Sequence, residues 1–244
     1  MSLVRRLSST FGAYRYAVVN NRNQNADRRI IHELGFAEYF TDDYGTTGVS
    51  GGDVAFLHNY IKAEKPRRVI EFGTGKSTWI IAKCMERYCW DKYGGDIAFV
   101  SMEESQFWYE QQLKFIPRNA FSHFDQFVRI IRSEPEIYRF RFAAGQSYKD
   151  TPVEHFDLCF IDGPDPHGTC NMDFIKLVEK SERPMTALVD NRKTTQMVYA
   201  ALLGKEKMTR YHSGLCLVKD VAKTDLEPTR YKTIFPENER ILQV

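Results

Sequence analysis

Cysteine is scarce and unpatterned in this chain: 244 residues hold five, Cys84, Cys89, Cys159, Cys170 and Cys216, an odd number with no C-x-x-C spacing. Neither a disulfide framework nor a thiolate zinc site is indicated, and the usage suits an intracellular protein. Long apolar runs are also missing. No stretch approaches the roughly 18 residues of a spanning helix, and Arg5, Arg6 and Arg15 interrupt the one N-terminal stretch that might be a signal sequence. Charge of one sign is not in excess either. Lys and Arg number 34 against 32 Asp and Glu, leaving +2, so a broad nucleic-acid-binding face is not expected. Acidic residues are absent from positions 1–26, which carry four arginines. Mitochondrial transit peptides share that composition, whereas an amphipathic leader helix on a cytoplasmic protein is the plainer reading.

What is present suits one α/β domain behind an N-terminal extension, since 43% hydrophobic residues can build a sizeable core. From Met1 to about Tyr44 the spacing of Leu3, Leu7, Phe11, Tyr14 and Val18 is helical, and this part is expected to pack on the main domain or on a second subunit. A glycine-rich loop, 44–52, follows and ends at Asp53 as a helix N-cap. After Lys65-Pro66 the chain alternates: strand Arg68–Phe72, helix 77–90, strand Asp96–Met102, a helix from Phe107 to Pro117, and strand Val128–Arg132. Residues 137–142 alternate like an exposed strand, and Gly145 to Pro152 reads as loop. Strand Phe156–Asp162, helix 171–182, strand Thr186–Val189, helix 194–203 and strand Gly214–Lys219 complete the series. The alternation predicts a mainly parallel, doubly wound sheet with helices on both faces. Such sheets bind ligands beyond the carboxyl ends of their strands, where Glu71 with Gly73, Glu103, Ser133, Asp162 and Asp190-Asn191 fall.

The stretch Val69-Ile-Glu-Phe-Gly-Thr-Gly-Lys-Ser-Thr78 joins a strand, an acid, a glycine turn and a helix start. Gly73 and Gly75 allow a sharp turn and close approach to a ligand, and Ser77 and Thr78 can cap the helix. A phosphate-binding P-loop needs glycine at position 70, where Ile70 sits inside the strand. A dinucleotide fingerprint puts Thr78 at its last glycine. Glu71 would repel a pyrophosphate and suits a cationic ligand, while Glu103 suits ribose hydroxyls.

With Met102-Glu103 and Phe156-Asp-Leu-Cys-Phe-Ile-Asp162, this stretch resembles the class I S-adenosylmethionine-dependent methyltransferases, in particular the small-molecule O-methyltransferases that include the catechol type. The resemblance covers about 45–219, leaving 1–44 as a helical extension and 220–244 as a tail. It implies a Rossmann-like sheet with a late antiparallel strand. It further implies that Gly73, Thr74 and Gly75 pass the methionine part of the cofactor, that Glu103 holds its ribose, and that Val49 and Ser50 line it. Glu71, Ser77, Thr78, Ser133 and Asp162 complete the cofactor candidates. Asp162, Asp190 and Asn191 stand where the catechol type holds a divalent metal, which implies Mg²⁺ or another divalent cation. Where that type has its lysine base this sequence has Asp165, with His167 two residues on, so Asp162, Asp165 and His167 are the catalytic candidates.

The expectation is transfer of a methyl group to an oxygen of a small molecule or sugar, with no nucleic acid and no membrane span, and with homo-oligomerisation through the N-terminal helices. A non-catalytic S-adenosylmethionine-binding assembly module and a P-loop-type enzyme are the alternatives. Arg192-Lys193 reads as solvated charge, or, if it flanks the site, as a grip on an anionic substrate. Phe107 and Trp108 are placed to stack on adenine.

Overall fold

The computed structural model describes residues 24–40, 52–164, 169–211 and 214–227. Helix α1 covers 24–33. Helices α2 (Asp53–Glu64), α3 (Lys76–Tyr88), α4 (Trp90–Tyr93), α5 (Gln106–Phe115), α6 (Phe124–Phe127), α7 (Asp173–Lys180) and α8 (Lys193–Leu203) alternate with strands. The strands are β1 (Arg68–Phe72), β2 (Ala98–Glu103), β3 (Val128–Arg132), β4 (Pro135–Phe140), β5 (Ala143–Tyr148), β6 (Leu158–Ile161), β7 (Met185–Val189), β8 (Met208–Arg210) and β9 (Cys216–Val221).

One sheet has seven strands in the order β3-β2-β1-β6-β7-β9-β8. Pairing from β3 through β7 is parallel, and β9 runs antiparallel to both β7 and β8. The chain builds outward from β1 to β3, then returns to β6 on the other side of β1. The strand order therefore reverses between β1 and β6, and sheets of this kind bind ligands in the crevice beyond the carboxyl ends at that reversal. This is the doubly wound, mainly parallel arrangement with a late antiparallel strand that the alternation and the resemblance imply.

Side chains alternating along the strands split the core in two. Ile70, Phe72, Val100 and Met102 pack with Phe174, Tyr199 and Tyr148 on one face. Val69, Phe99, Leu158 and Phe160 pack with Leu57, Trp79 and Ile80 of α2 and α3 on the other. Strands buried on both faces read as near-continuous apolar runs, which is why β1, β6 and β7 were legible.

Two local expectations change. Asp53 is the first residue of α2 rather than its cap, and Gly52 holds the N-cap position. The cap comes from α1: Asp27 accepts the Gly52 N–H at 2.5 Å and the Ala55 N–H at 2.9 Å, an interaction typically worth about 1 kcal/mol. Phe36 is fully buried and Phe40 meets Trp79 edge-on at 5.9 Å, so residues 24–40 pack on the main domain. Second, the start of the stretch read as loop, Gly145 to Tyr148, belongs to strand β5, which pairs antiparallel with β4 in a separate two-stranded sheet. Its small residues Ala143, Ala144 and Gly145 carry little strand propensity, and the pairing comes from packing beneath α7.

Among the described residues no helix is long and apolar enough to cross a membrane.

Candidate functional site

Glu71 points from β1 under the first turn of α3. Its carboxylate is fully buried and accepts three hydroxyls: Ser77 Oγ at 2.5 Å, Thr78 Oγ1 at 2.6 Å and Ser101 Oγ at 2.6 Å. Ser101 lies beside it in register on β2, the one polar interruption between Ala98 and Met102. Burial pushes the Glu71 carboxyl up to about 7; the three hydroxyls act against that shift and the nearby Glu103 adds to it. With these partners Glu71 ties the turn and α3 together. Ser77 and Thr78 are likewise committed inward, and Thr78 Oγ1 also accepts the Gly75 N–H at 3.1 Å.

Glu103, at the end of β2, reaches the glycine turn. Its Oε2 accepts the Thr74 N–H at 3.1 Å and the Thr74 hydroxyl at 2.8 Å, and its Oε1 accepts the Ser105 N–H at 2.9 Å. Burial, opposed by these bonds, raises its pKa. A carboxylate has about four lone-pair sites, and three are engaged. Glu104 accepts the Tyr148 hydroxyl at 2.5 Å. Of the two adjacent acids, Glu103 is therefore the one bonded to Thr74 of the turn.

Gly73 also meets a second glycine turn. Gly73 has φ +96°, and a Cβ there would lie 2.7 Å from the Gly163 nitrogen. A Cβ on Gly163 would lie 2.7 Å from Gly73 Cα and 2.9 Å from the Tyr148 hydroxyl. The two turns beyond β1 and β6 thus touch backbone to backbone at the switch point, which requires glycine on both sides. Gly75, at φ −177°, is extended and needs no special residue.

Ser133 is 2% exposed, donates to Asp150 Oδ2 at 3.1 Å and accepts the Asp150 N–H at 2.9 Å. Its hydroxyl closes the start of the β4–β5 hairpin. Val49, Ser50, Asp165 and His167 lie outside the described residues.

At the other side of the crevice, Asp162 and Asp190 follow the adjacent strands β6 and β7. Burial and the neighbouring Asp190 push the Asp162 carboxyl upward, against the pull of Arg192. Arg192 is not a solvated charge: its side chain is 23% exposed, with Nη2 3.2 Å from Asp162 Oδ1 and Nη1 3.3 Å from the Pro164 carbonyl. Asn191 is exposed, and a Cβ on Gly214 would lie 2.8 Å from its Oδ1, so its amide packs toward the turn before β9. Among the described residues no three His, Cys, Asp or Glu side chains cluster to hold a metal ion. The donor set does not fit the divalent ion implied by the catechol type: a guanidinium, which has no lone pair to offer, lies against the carboxylate that would ligate it.

Tyr148, Asn171 and Asp173 escaped sequence reasoning. Tyr148 is fully buried and stacks on Phe72 at 5.9 Å, placing its hydroxyl at the Gly73–Gly163 seam. Asp173 accepts the Tyr148 N–H and the Thr151 hydroxyl, both at 2.9 Å. Asn171 donates to the Gly163 carbonyl at 2.6 Å and to Asp173 at 2.9 Å. A buried polar network therefore fixes the β4–β5 insert against the turn after β6. Burial raises Asp173 to about 7, with the same hydrogen bonds opposing.

The P-loop alternative fails on geometry. Only Gly73, Thr74 and Gly75 separate β1 from α3, and Lys76 is 9% exposed with its Nζ 5.4 Å over the Phe40 ring, away from any phosphate cradle.

No family model and no curated protein matches the sequence. Solved structures do. The SAH-bound methyltransferase PaMTH1 of Podospora anserina is 13% identical, with 86% of this chain and 95% of that one covered at a TM-score of 0.52. The O-methyltransferase of Bacillus cereus in complex with SAH is 15% identical (83% and 97% covered, TM-score 0.48). TomG, an O-methyltransferase of Streptomyces achromogenes in complex with SAM, is 16% identical (82% and 98% covered, TM-score 0.46). At such identities the likeness concerns the fold alone, and the Podospora structure supports what the strand order already indicates. The chain has the Rossmann-like fold of the class I methyltransferases.

Proposed function

We propose that this chain is an S-adenosylmethionine-dependent methyltransferase that methylates an oxygen of a small molecule or sugar. The observation that carries the reading is the Glu103–Thr74 contact, which sets a ribose-suited carboxylate on the glycine turn at the switch point of the sheet. The residues present fit the cofactor. A diol can replace the Thr74 hydroxyl on Glu103 and use its remaining lone pair, and buried Glu71 beneath the same turn favours a cationic group above it. Thr74 and Gly75 would border the methionine part, and Phe107 and Trp108, exposed at the start of α5, would flank adenine. Val49, Ser50, Asp165 and His167 keep their proposed roles as lining and base.

When bound, the cofactor supplies a methyl on a sulfonium, so that an acceptor lone pair forms the new O–C bond while the S–C electron pair stays on sulfur. The protein's work is alignment and proton removal. The Gly73–Gly163 seam brings the cofactor turn beside Asp162 and Asp190, which would orient the acceptor hydroxyl and receive its proton. No step runs through a metal ion. The test is production of S-adenosylhomocysteine by the full chain across a panel of phenolic, carboxylic and sugar acceptors. Turnover that depends on one acceptor class and is lost in Asp162→Asn supports the reading. Cofactor binding without turnover on any acceptor favours the assembly module instead.

A further inference from the structure

The acceptor end of the crevice holds a cation of its own. We propose that Arg192 is the resident cation of the acceptor site, so that the chain takes an acceptor with an acidic oxygen, a carboxylate or an acidic hydroxyl, and refuses a divalent ion there. The site's part in methyl transfer rests on the function proposed above; its refusal of metal does not.

Backbone geometry builds the arrangement. The Asp162 N–H donates to the Phe72 carbonyl at 2.8 Å and the Asp190 N–H to the Ile161 carbonyl at 3.0 Å, so both acids leave neighbouring strands at matched heights. Immediately afterwards the chain turns tightly, with the Arg192 N–H donating to the Asp190 carbonyl, and Arg192 becomes the N-cap residue of α8. That turn sends its guanidinium back across the carboxyl ends of β6 and β7 onto Asp162 and Pro164. The same turn commits the other donors: Asp190 Oδ1 accepts the Asn191 N–H at 2.6 Å, and the Asn191 amide packs toward Gly214. One Asp190 oxygen and the Asn191 amide are thus turned toward their own loop, and Asp162 meets the Arg192 guanidinium.

A guanidinium is always charged and offers donors in a planar fork, which matches a carboxylate or the oxygen of an acidic hydroxyl. A divalent ion at Asp162 would sit against that fixed positive charge. Exposed Lys193, the first residue of α8, adds a second positive charge at the same end.

The test is Mn²⁺ titration of the full chain, followed by electron paramagnetic resonance, for the native protein and for Arg192→Met, Arg192→Lys and Asp162→Asn. The native protein and Arg192→Lys are expected to show no saturable binding, and Arg192→Met to gain Mn²⁺ affinity by at least about tenfold. Saturable binding by the native protein that Asp162→Asn removes overturns the proposal, as does an Arg192→Met variant that folds and gains nothing. Should Arg192→Met fail to fold, the native and Asp162→Asn titrations decide alone. Titration of the same native sample with S-adenosylhomocysteine reads the cofactor site separately, so loss of the methyltransferase reading is distinguishable from loss of this one.

Discussion

Replacing Glu71 with Gln should flatten part of the pH dependence of stability. In the folded chain its carboxyl is raised from an ordinary 4.5 to about 7, because a fully buried site disfavours the charge more than the hydroxyls of Ser77, Thr78 and Ser101 favour it. A raised acid binds its proton more tightly folded than unfolded. Its contribution is therefore greatest at low pH and is lost as pH rises toward and through about 7. Between about pH 5 and about pH 8 the linkage amounts to roughly 2 to 3 kcal/mol. Asp173 and Asp162 are raised as well, so the native slope alone cannot isolate Glu71. The difference between native and Glu71→Gln reports Glu71 together with its repulsion of Asp162 and Glu103, which acts in the same direction, while uncoupled contributions cancel. Urea unfolding of both proteins at the two pH values, followed by the fluorescence of buried Trp79 and the other tryptophans, measures it. Native stability should fall relative to the variant by that amount on going to the higher pH. A difference that stays constant, or that moves the other way, refutes the buried-acid account of the turn.

Gly163→Ala should destabilise by about 1 to 3 kcal/mol, since the added carbon meets Gly73 backbone at 2.7 Å and the Tyr148 hydroxyl at 2.9 Å. An unchanged melting temperature would show that the two turns are not in contact. Tyr148→Phe removes the 2.5 Å hydrogen bond to Glu104 and should cost about 1 to 3 kcal/mol, read by chemical denaturation. If stability is unaffected, the insert is not anchored through that hydroxyl.

Much of the architecture was legible because a parallel sheet buried on both faces writes itself as apolar runs: Val69–Phe72, Ala98–Met102 and Leu158–Ile161 all stand where the sequence put strands. β5 was hidden by its small residues, and β8 by being three residues long at the sheet edge. Within the site, the acids were found by position, but their partners were not. Ser101, Tyr148 and Asn171 reach the crevice from separate elements, and only the fold brings them there. Arg192 looked like one more surface charge because burial of a long side chain depends on the path of the turn before it. The protein partners of Gly73 and Glu71 were hidden for a related reason: sequence shows that a turn holds glycine or an acid, but not which backbone or hydroxyls pack beside it.

Titration calorimetry of the full chain with S-adenosylmethionine and S-adenosylhomocysteine tests the central claim most directly. The account predicts saturable binding of one cofactor per chain, weakened by more than about tenfold in Glu103→Ala and in the milder Glu103→Gln, with both variants folded by circular dichroism. Absence of binding by either compound, or binding that survives loss of the Glu103 carboxylate, contradicts it.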